Sequence, residues 1–301
     1  MANVRIPKVD GPVVGVLWML VTGLNFVMVT AFVKLAGSRI PAAESAFLRY
    51  VLGLVFLLPM ARTLLATRFD RRMFALFSLR GLVHALGVIL WFYAMARIPM
   101  AEVTALNYLN PVYVTLGAVL VLGEKLAARR ILAIVAALVG ALIILRPGFR
   151  EIQPGHLAML GTAMLFAVSY LIAGRLSGLV RPMVVVAMLS ITVTIGLTPV
   201  ALAHWVTPTL HEIGWLFGVA FFATAGHYTM TRAFAAAPMS VTQPVTFLQL
   251  VWSVLIGWLL FSEPVDAWVV LGGGLILGAV SFITWREAVL KRRVTPPVPA
   301  T

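Results

Sequence analysis

Polar residues fall along this chain in nine short clusters, and the stretches between them are almost wholly apolar. The clusters lie at 34–44, 62–72, 97–102, 123–130, 146–156, 174–182, 204–212, 232–240 and 262–266. They bound apolar segments at 13–33, 45–61, 77–96, 103–122, 131–145, 157–173, 183–203, 213–231, 241–261 and 267–285. Most are near the ~20 residues needed to cross a hydrocarbon core at about 1.5 Å per residue. None alternates apolar and polar as barrel strands do, so each is expected to be a helix. The fifth is short, and Arg130 and Arg146 at its ends are expected to snorkel to the interfaces. The expected fold class is therefore an all-α integral membrane protein of ten transmembrane helices.

Composition agrees. Of 301 residues, 61% are hydrophobic and only 11% charged, with a mean hydropathy of +1.02. A soluble domain carries about 25% charged residues, so lipid is the expected solvent. The formal charge of +13 would suggest nucleic acid in a soluble protein. Here the cations sit at segment ends, as in Arg71-Arg72, Arg129-Arg130 and Lys291-Arg292-Arg293, which marks membrane orientation and gives no nucleic-acid partner. With the N-terminus cytoplasmic, 17 Lys and Arg fall inside and 6 outside (Lys34, Arg39, Arg49, Arg97, Arg146 and Arg150). Both termini are thus expected in the cytoplasm, across a bacterial-type inner (plasma) membrane. The run after Arg5 and Lys8 is longer than the about 7–15 apolar residues of a signal peptide and is read as a retained span. The absence of cysteine removes disulfides and thiolate metal sites.

Shifted by 139 positions, the chain partly superimposes on itself. Pro99-Met100 meets Pro238-Met239, Leu109 meets Leu248, Leu120 meets Leu259, and Glu124 meets Glu263. An odd number of spans per half forces the halves into opposite orientations, an architecture of secondary transporters with the substrate site near the midplane. The expected organisation is a first five-helix repeat at 1–148, a second, inverted one at 149–290, and a basic tail at 291–301. Glu124 and Glu263 are read as structural caps against nearby cations or helix N-termini.

Several motifs carry a family resemblance. They are Asn107-x-x-Pro-Val, Leu-Gly-Glu at 122–124, Leu-Ile-Ile-Leu-Arg-Pro-Gly at 142–148, Leu-Leu-Phe-Ser-Glu-Pro at 259–264 and Gly272-Gly273-Gly274. Through them the chain resembles the drug/metabolite transporter superfamily, with two EamA-type halves. Within it, the chain is similar to bacterial exporters of aromatic and other neutral amino acids, which implies efflux across the inner membrane. Thr246 and Leu250 stand where the first half has Asn107 and Pro111, so that motif is not duplicated.

Polar groups inside hydrocarbon need partners or a purpose. Glu44, Glu102, Glu124, Glu212, Glu263 and Asp266 all sit at segment ends, so carboxylate-based proton antiport is not expected. In the third span Arg80, His84, Gly87 and Trp91 share one helical face. Asn107, Tyr108 and Asn110 precede Pro111, which frees the carbonyl of residue 107, and Pro244 frees that of Ser240. Gln249 shares a face with Gln243, Thr246 and Ser253. The candidate substrate-binding set is Asn25, His84, Trp91, Asn107, Tyr108, Asn110, Tyr170, His227, Gln249 and Trp252, with Pro111 and Pro244 as hinges. Interhelical hydrogen bonding is the alternative role for single residues such as Asn25 and Ser169. His84 and His227 lack a carboxylate or thiol companion, so no metal and no cofactor is expected. Small-residue seams at Ala136-x-x-x-Gly140 and Gly274-x-x-x-Gly278 either join spans five and ten or pair two copies, leaving monomer and homodimer open. No ATP-binding Gly-x4-Gly-Lys-Ser/Thr motif occurs. The cavity is expected to be largely uncharged, amide-rich and walled by aromatic rings, suited to a neutral small molecule such as an aromatic or hydrophobic amino acid. A multidrug or hydrophobic-metabolite exporter is the alternative, and an intramembrane enzyme a third class.

Overall fold

A computed structural model describes residues 12–110, 112–114, 116–117, 128–149, 151–177, 179–180, 182–236, 245 and 247–294. Its helices are α1 (Pro12–Ala36), α2 (Ala42–Gly53), a 3-10 segment (Leu54–Met60), α3 (Ala61–Leu65), α4 (Arg71–Met95), α5 (Met100–Asn107), α6 (Ala128–Leu145), α7 (Pro154–Ser177), α8 (Pro182–Ala203), α9 (Leu210–Ala236), α10 (Phe247–Phe261) and α11 (Ala267–Val294). Among the described residues there is no strand. Four stretches among the described residues are long and apolar enough to cross a bilayer: Val13–Ala36, Arg71–Met95, Pro154–Ala173 and Val184–Ala203.

Helix boundaries follow local chemistry. Asp70 starts α4 from an extended backbone, its carboxylate accepting the Met73 N–H at 2.6 Å. A capping box starts α9: Thr209 Oγ1 accepts the Glu212 N–H, and Glu212 accepts the Thr209 N–H at 2.7 Å. Helix α1 ends on Gly37 at φ +78, a left-handed conformation that favours glycine. Two segments depart from the expected continuous helices. The second passes through seven residues of 3-10 helix between α2 and α3, where Pro59 offers no backbone N–H. The fourth leaves regular α-helix at Tyr108 and Leu109, which bond back to Ala105 and Leu106 three residues earlier. That break lies just before Pro111, as steric crowding by a proline ring dictates. Pro111, Pro244 and Glu124 themselves, and residues 295–301 of the basic tail, lie outside the described residues.

The most extensive helix contacts pair α1 with α9, α4 with α7, and α6 with α11. The last is a backbone-to-backbone seam. A Cβ on Gly140 would lie 2.6 Å from the Gly272 carbonyl oxygen, and one on Gly272 would lie 2.5 Å from that of Gly140. The Ala136/Gly140 side of the expected seam is therefore used within the chain, but its partner is Gly272. Gly278 faces open space, and the Gly274/Gly278 stripe is not the surface that meets α6.

Loops 34–44, 97–102, 146–156, 204–212 and 262–266 gather at one end, where the acidic residues do their work. Lys34 pairs with Glu263 at 2.7 Å, Arg39 with Glu212, Arg146 with Asp266, and His156 with Glu102 at 2.5 Å. Each pair joins the first expected half to the second. Glu263 also accepts the Met100 N–H at 2.8 Å, capping α5 as the repeat suggested. Arg146 is thus held in an ion pair rather than snorkelling. Glu212 is pulled down to about 2, first by the Arg39 guanidinium and then by the Thr209 backbone N–H. A carboxylate depressed in the folded state stabilises it above the ordinary range near ~4.3, a contribution lost as pH falls toward about 2. Thermal stability in detergent should therefore decline over that interval, and Arg39→Ala should remove part of the decline. An unchanged pH profile in the variant would contradict the assignment.

Candidate functional site

The midspan polar groups are held by the crossed pairs α4–α7 and α1–α9. On α4, Gly87 leaves a notch that the Phe166 ring of α7 fills, with ring atoms 2.8 Å from where a Cβ would stand. Phe166 stacks on His84 (centroids 4.5 Å apart, planes 18°) and meets Trp91 edge-on at 5.9 Å. His84 Nδ1 shares a 3.1 Å hydrogen bond with Ser169 Oγ, and Tyr170 tilts against Phe166 at 6.3 Å. Across the bundle, His227 of α9 meets Phe26 of α1 edge-on at 5.3 Å. The two walls face related surroundings: His84 and His227 are within electrostatic reach of one another and of Arg49 and Arg80. Tyr170 is 44% exposed and lies within electrostatic reach of Arg80 and Tyr50.

Sequence-selected residues divide. His84, Trp91, Tyr170 and His227 form these walls. Asn110 is buried and donates to the Ala163 carbonyl at 3.1 Å, tying the α5 end to α7 one turn from Phe166. Asn107 closes α5 with a buried Oδ1 that has no partner. Tyr108 lies against the Leu250 backbone. Asn25 donates to Val21 of its own helix at 2.8 Å, so its donor serves α1 rather than a ligand. Gln249 packs on Gly23 of α1, and Trp252 is 36% exposed; no described contact draws either to the α4–α7 wall. Phe166, Phe26 and Ser169 complete the walls, although sequence reasoning did not select them. The largest deviation concerns charge. Arg80, counted above with the cytoplasmic cations, is 5% exposed inside α4, and Arg49 lies within α2 over the Tyr50 ring at 4.0 Å. The centre is therefore not the uncharged environment that composition suggested.

Among the described residues six buried side-chain atoms have no hydrogen-bond partner: Glu44 Oε1, Arg80 Nε, Trp91 Nε1, Asn107 Oδ1, Arg146 Nε and Trp215 Nε1. Buried polar groups are paired in the great majority of proteins, and Trp91 and Asn107 are the two of these six residues that the sequence also selected. A separate cleft of about 330 Å³ lies among the acidic loops, bordered by Ala101, Glu102, His156, Val254 and Glu263. None of the ten candidate residues borders it.

The EamA-like transporter family model matches residues 13–146 and again residues 153–285. The chain belongs to the EamA-like transporter family. This EamA protein is 30% identical over 290 residues to the riboflavin transporter of Vibrio cholerae, covering 94% of this chain and 96% of that one. It is 29% identical to the pseudopaline exporter of Pseudomonas aeruginosa, covering 88% of this chain and 94% of that one. A solved crystal structure at 18% identity superimposes with a TM-score of 0.60 over 94% of this chain and 99% of its own, which shows a shared fold. The EamA protein is thus a multi-pass membrane protein of a small-molecule transporter family.

Proposed function

We propose that this EamA protein is a secondary transporter of the inner membrane, exporting a small metabolite with a flat aromatic part by alternating access. Ten spanning helices in two inverted five-helix halves, with both termini cytoplasmic, form its frame. The observation that carries the reading is the Phe166–His84–Trp91 aromatic wall with the unmet Trp91 Nε1 donor in it, while Arg80 Nε and Asn107 Oδ1 are further buried atoms without a partner. A substrate offering a ring and an acceptor suits that wall.

The inverted frame is supported by the pattern of contacts. Exchange α1 with α7, α2 with α8, α4 with α9, α5 with α10, and α6 with α11. The α1–α9 pair becomes α7–α4, and α6–α11 maps onto itself. Mutual contact of Gly140 with Gly272, and of each with the isoleucine four residues beyond the other, fits such an axis. The three ion pairs and the His156–Glu102 hydrogen bond described at the loop end each join one half to the other, so they suit a gate that must break for the halves to rock apart. Aromatic amino acids remain the first cargo, since they combine a ring with donors and acceptors. A flavin-sized ring system, named for the Vibrio relative, is the second reading, favoured by stacking surfaces on two separate walls.

Two measurements test this. Reporter fusions should place both termini in the cytoplasm and loops 34–44 and 146–156 outside; a periplasmic C-terminus would remove the inverted frame. Trp91→Ala and Asn107→Ala should each slow counterflow of labelled substrate at least about tenfold, the equivalent of roughly 1.4 kcal/mol. Wild-type flux in both folded variants would remove the site.

A further inference from the structure

We infer that Arg80 forms an anion subsite in the centre of the bundle, so that the cargo is held by a carboxylate or a comparably charged acceptor group. This rests on the transporter reading above and adds the charge class of the molecule carried. Arg80 stands on α4 eight residues past Arg72, which places it about 12 Å into the helix from the cluster at its start. It is 95% shielded, and its one described hydrogen bond is from Nη1 to the Val185 carbonyl of α8 at 3.0 Å. Nε is buried without a partner. A guanidinium carries five donors and stays protonated in proteins, so at this depth its charge must be answered by something.

No described protein group answers it. Among the described residues no carboxylate lies within ion-pair distance of Arg80; Lys34, Arg39, Arg146 and His156 take the acidic partners, all at the loop end. The groups that feel its charge are Tyr170, Tyr50, His84 and His227, and the half-buried Arg49 acts on the same two imidazoles. Cations and imidazoles are thus the charged and titratable groups that share this region with the tyrosines. An ionisable residue inside a membrane bundle that has no opposite charge is characteristic of a substrate pathway rather than of packing. The planar fork of arginine suits an oxyanion with two acceptor atoms. The ring contacts fix where the remainder of such a molecule goes: His84 follows Arg80 by one turn, and Phe166 carries the stacking surface from His84 to Trp91. A charged head at Arg80 and a ring beside Phe166 describe an aromatic acid or zwitterion lying along α4.

The test is binding rather than flux, so that a failure of transport and a failure of this subsite are told apart. The probes are naphthalene-2-carboxylate and its uncharged isostere naphthalene-2-carboxamide, titrated onto purified full-length protein in detergent and followed by tryptophan fluorescence. The acid should bind at least tenfold more tightly than the amide to the wild-type protein, a comparison that needs no variant. Arg80→Gln should abolish the preference, and Arg80→Lys, which retains the charge but loses the fork, should keep part of it. Equal affinity for the two probes, binding of neither, or a preference that survives in Arg80→Gln would each overturn the inference.

Discussion

Gly140→Val and Gly272→Val should each clearly destabilise the fold in detergent. The added side chain has nowhere to go. At Gly140 its first carbon would lie 2.6 Å from the Gly272 carbonyl oxygen, 2.7 Å from Ile276 Cγ1 and 3.2 Å from the Ile276 nitrogen. Two of those three atoms are backbone, so relief requires α6 and α11 to separate. Helix association in lipid depends on close packing, because lipid tails solvate apolar side chains as well as neighbouring helices do. Separating this seam therefore forfeits its main source of stability. Overpacking in a tight core costs up to about 3 kcal/mol, and a rigid backbone contact belongs at that upper end. The apparent melting temperature should fall by roughly 5–10 °C. Gly278→Val supplies the control: nothing lies within 4 Å of the position, so its effect should stay within about 0.5 kcal/mol. Equal tolerance at positions 140 and 278 would contradict the seam.

His156→Ala is expected to be nearly as damaging, through a lost hydrogen bond instead of volume. The His156 and Glu102 side chains are 3% and 4% exposed and 2.5 Å apart, and the imidazole Nδ1 also accepts the Gln153 N–H. With Nδ1 accepting, Nε2 is the donor to Glu102, and removing it takes a hydrogen bond from a buried carboxylate, at a cost of about 1–3 kcal/mol or more. The pair joins the first turn of α5 to the start of α7, so its loss should also loosen the loop end. The chain has no cysteine, which makes one introduced at Ala101, on the border of the loop-end cleft, a unique label. Labelling there should accelerate in His156→Ala. Glu102→Gln keeps the volume and a hydrogen-bonding group while discarding the charge, and should cost less than half as much. Undiminished stability in His156→Ala would show that the pair is incidental.

How much of this was legible in the sequence differs by level. The apolar segments were, because hydrocarbon thickness and the 1.5 Å rise leave little choice. The capping role of Glu263 was legible through its repeat, and the structure gives it both Lys34 and the α5 N-terminus. Rotation about each helix axis was not. Small residues at 272, 274 and 278 mark α11 as able to approach a neighbour, but only packing selects Gly272. The same limit hid Phe166, which looks like any apolar residue until the Gly87 notch receives it, and it misjudged Asn25, whose amide bonds to its own helix. Arg80 was legible in part: the sequence set it on the face of His84 and Trp91 but also counted it with the interfacial cations, and its burial depends on α8 providing the Val185 carbonyl. The 3-10 segment at 54–60 carries no hydropathy signal at all.

The central claim is that the molecule moves an aromatic-bearing metabolite without ATP. Counterflow in proteoliposomes containing only this protein tests it most directly, with labelled Phe, Trp and riboflavin offered separately against unlabelled substrate inside. The account predicts saturable, protein-dependent exchange of at least one of them in the absence of nucleotide or an imposed proton gradient. Exchange of none, by protein that is monodisperse and folded, would contradict it.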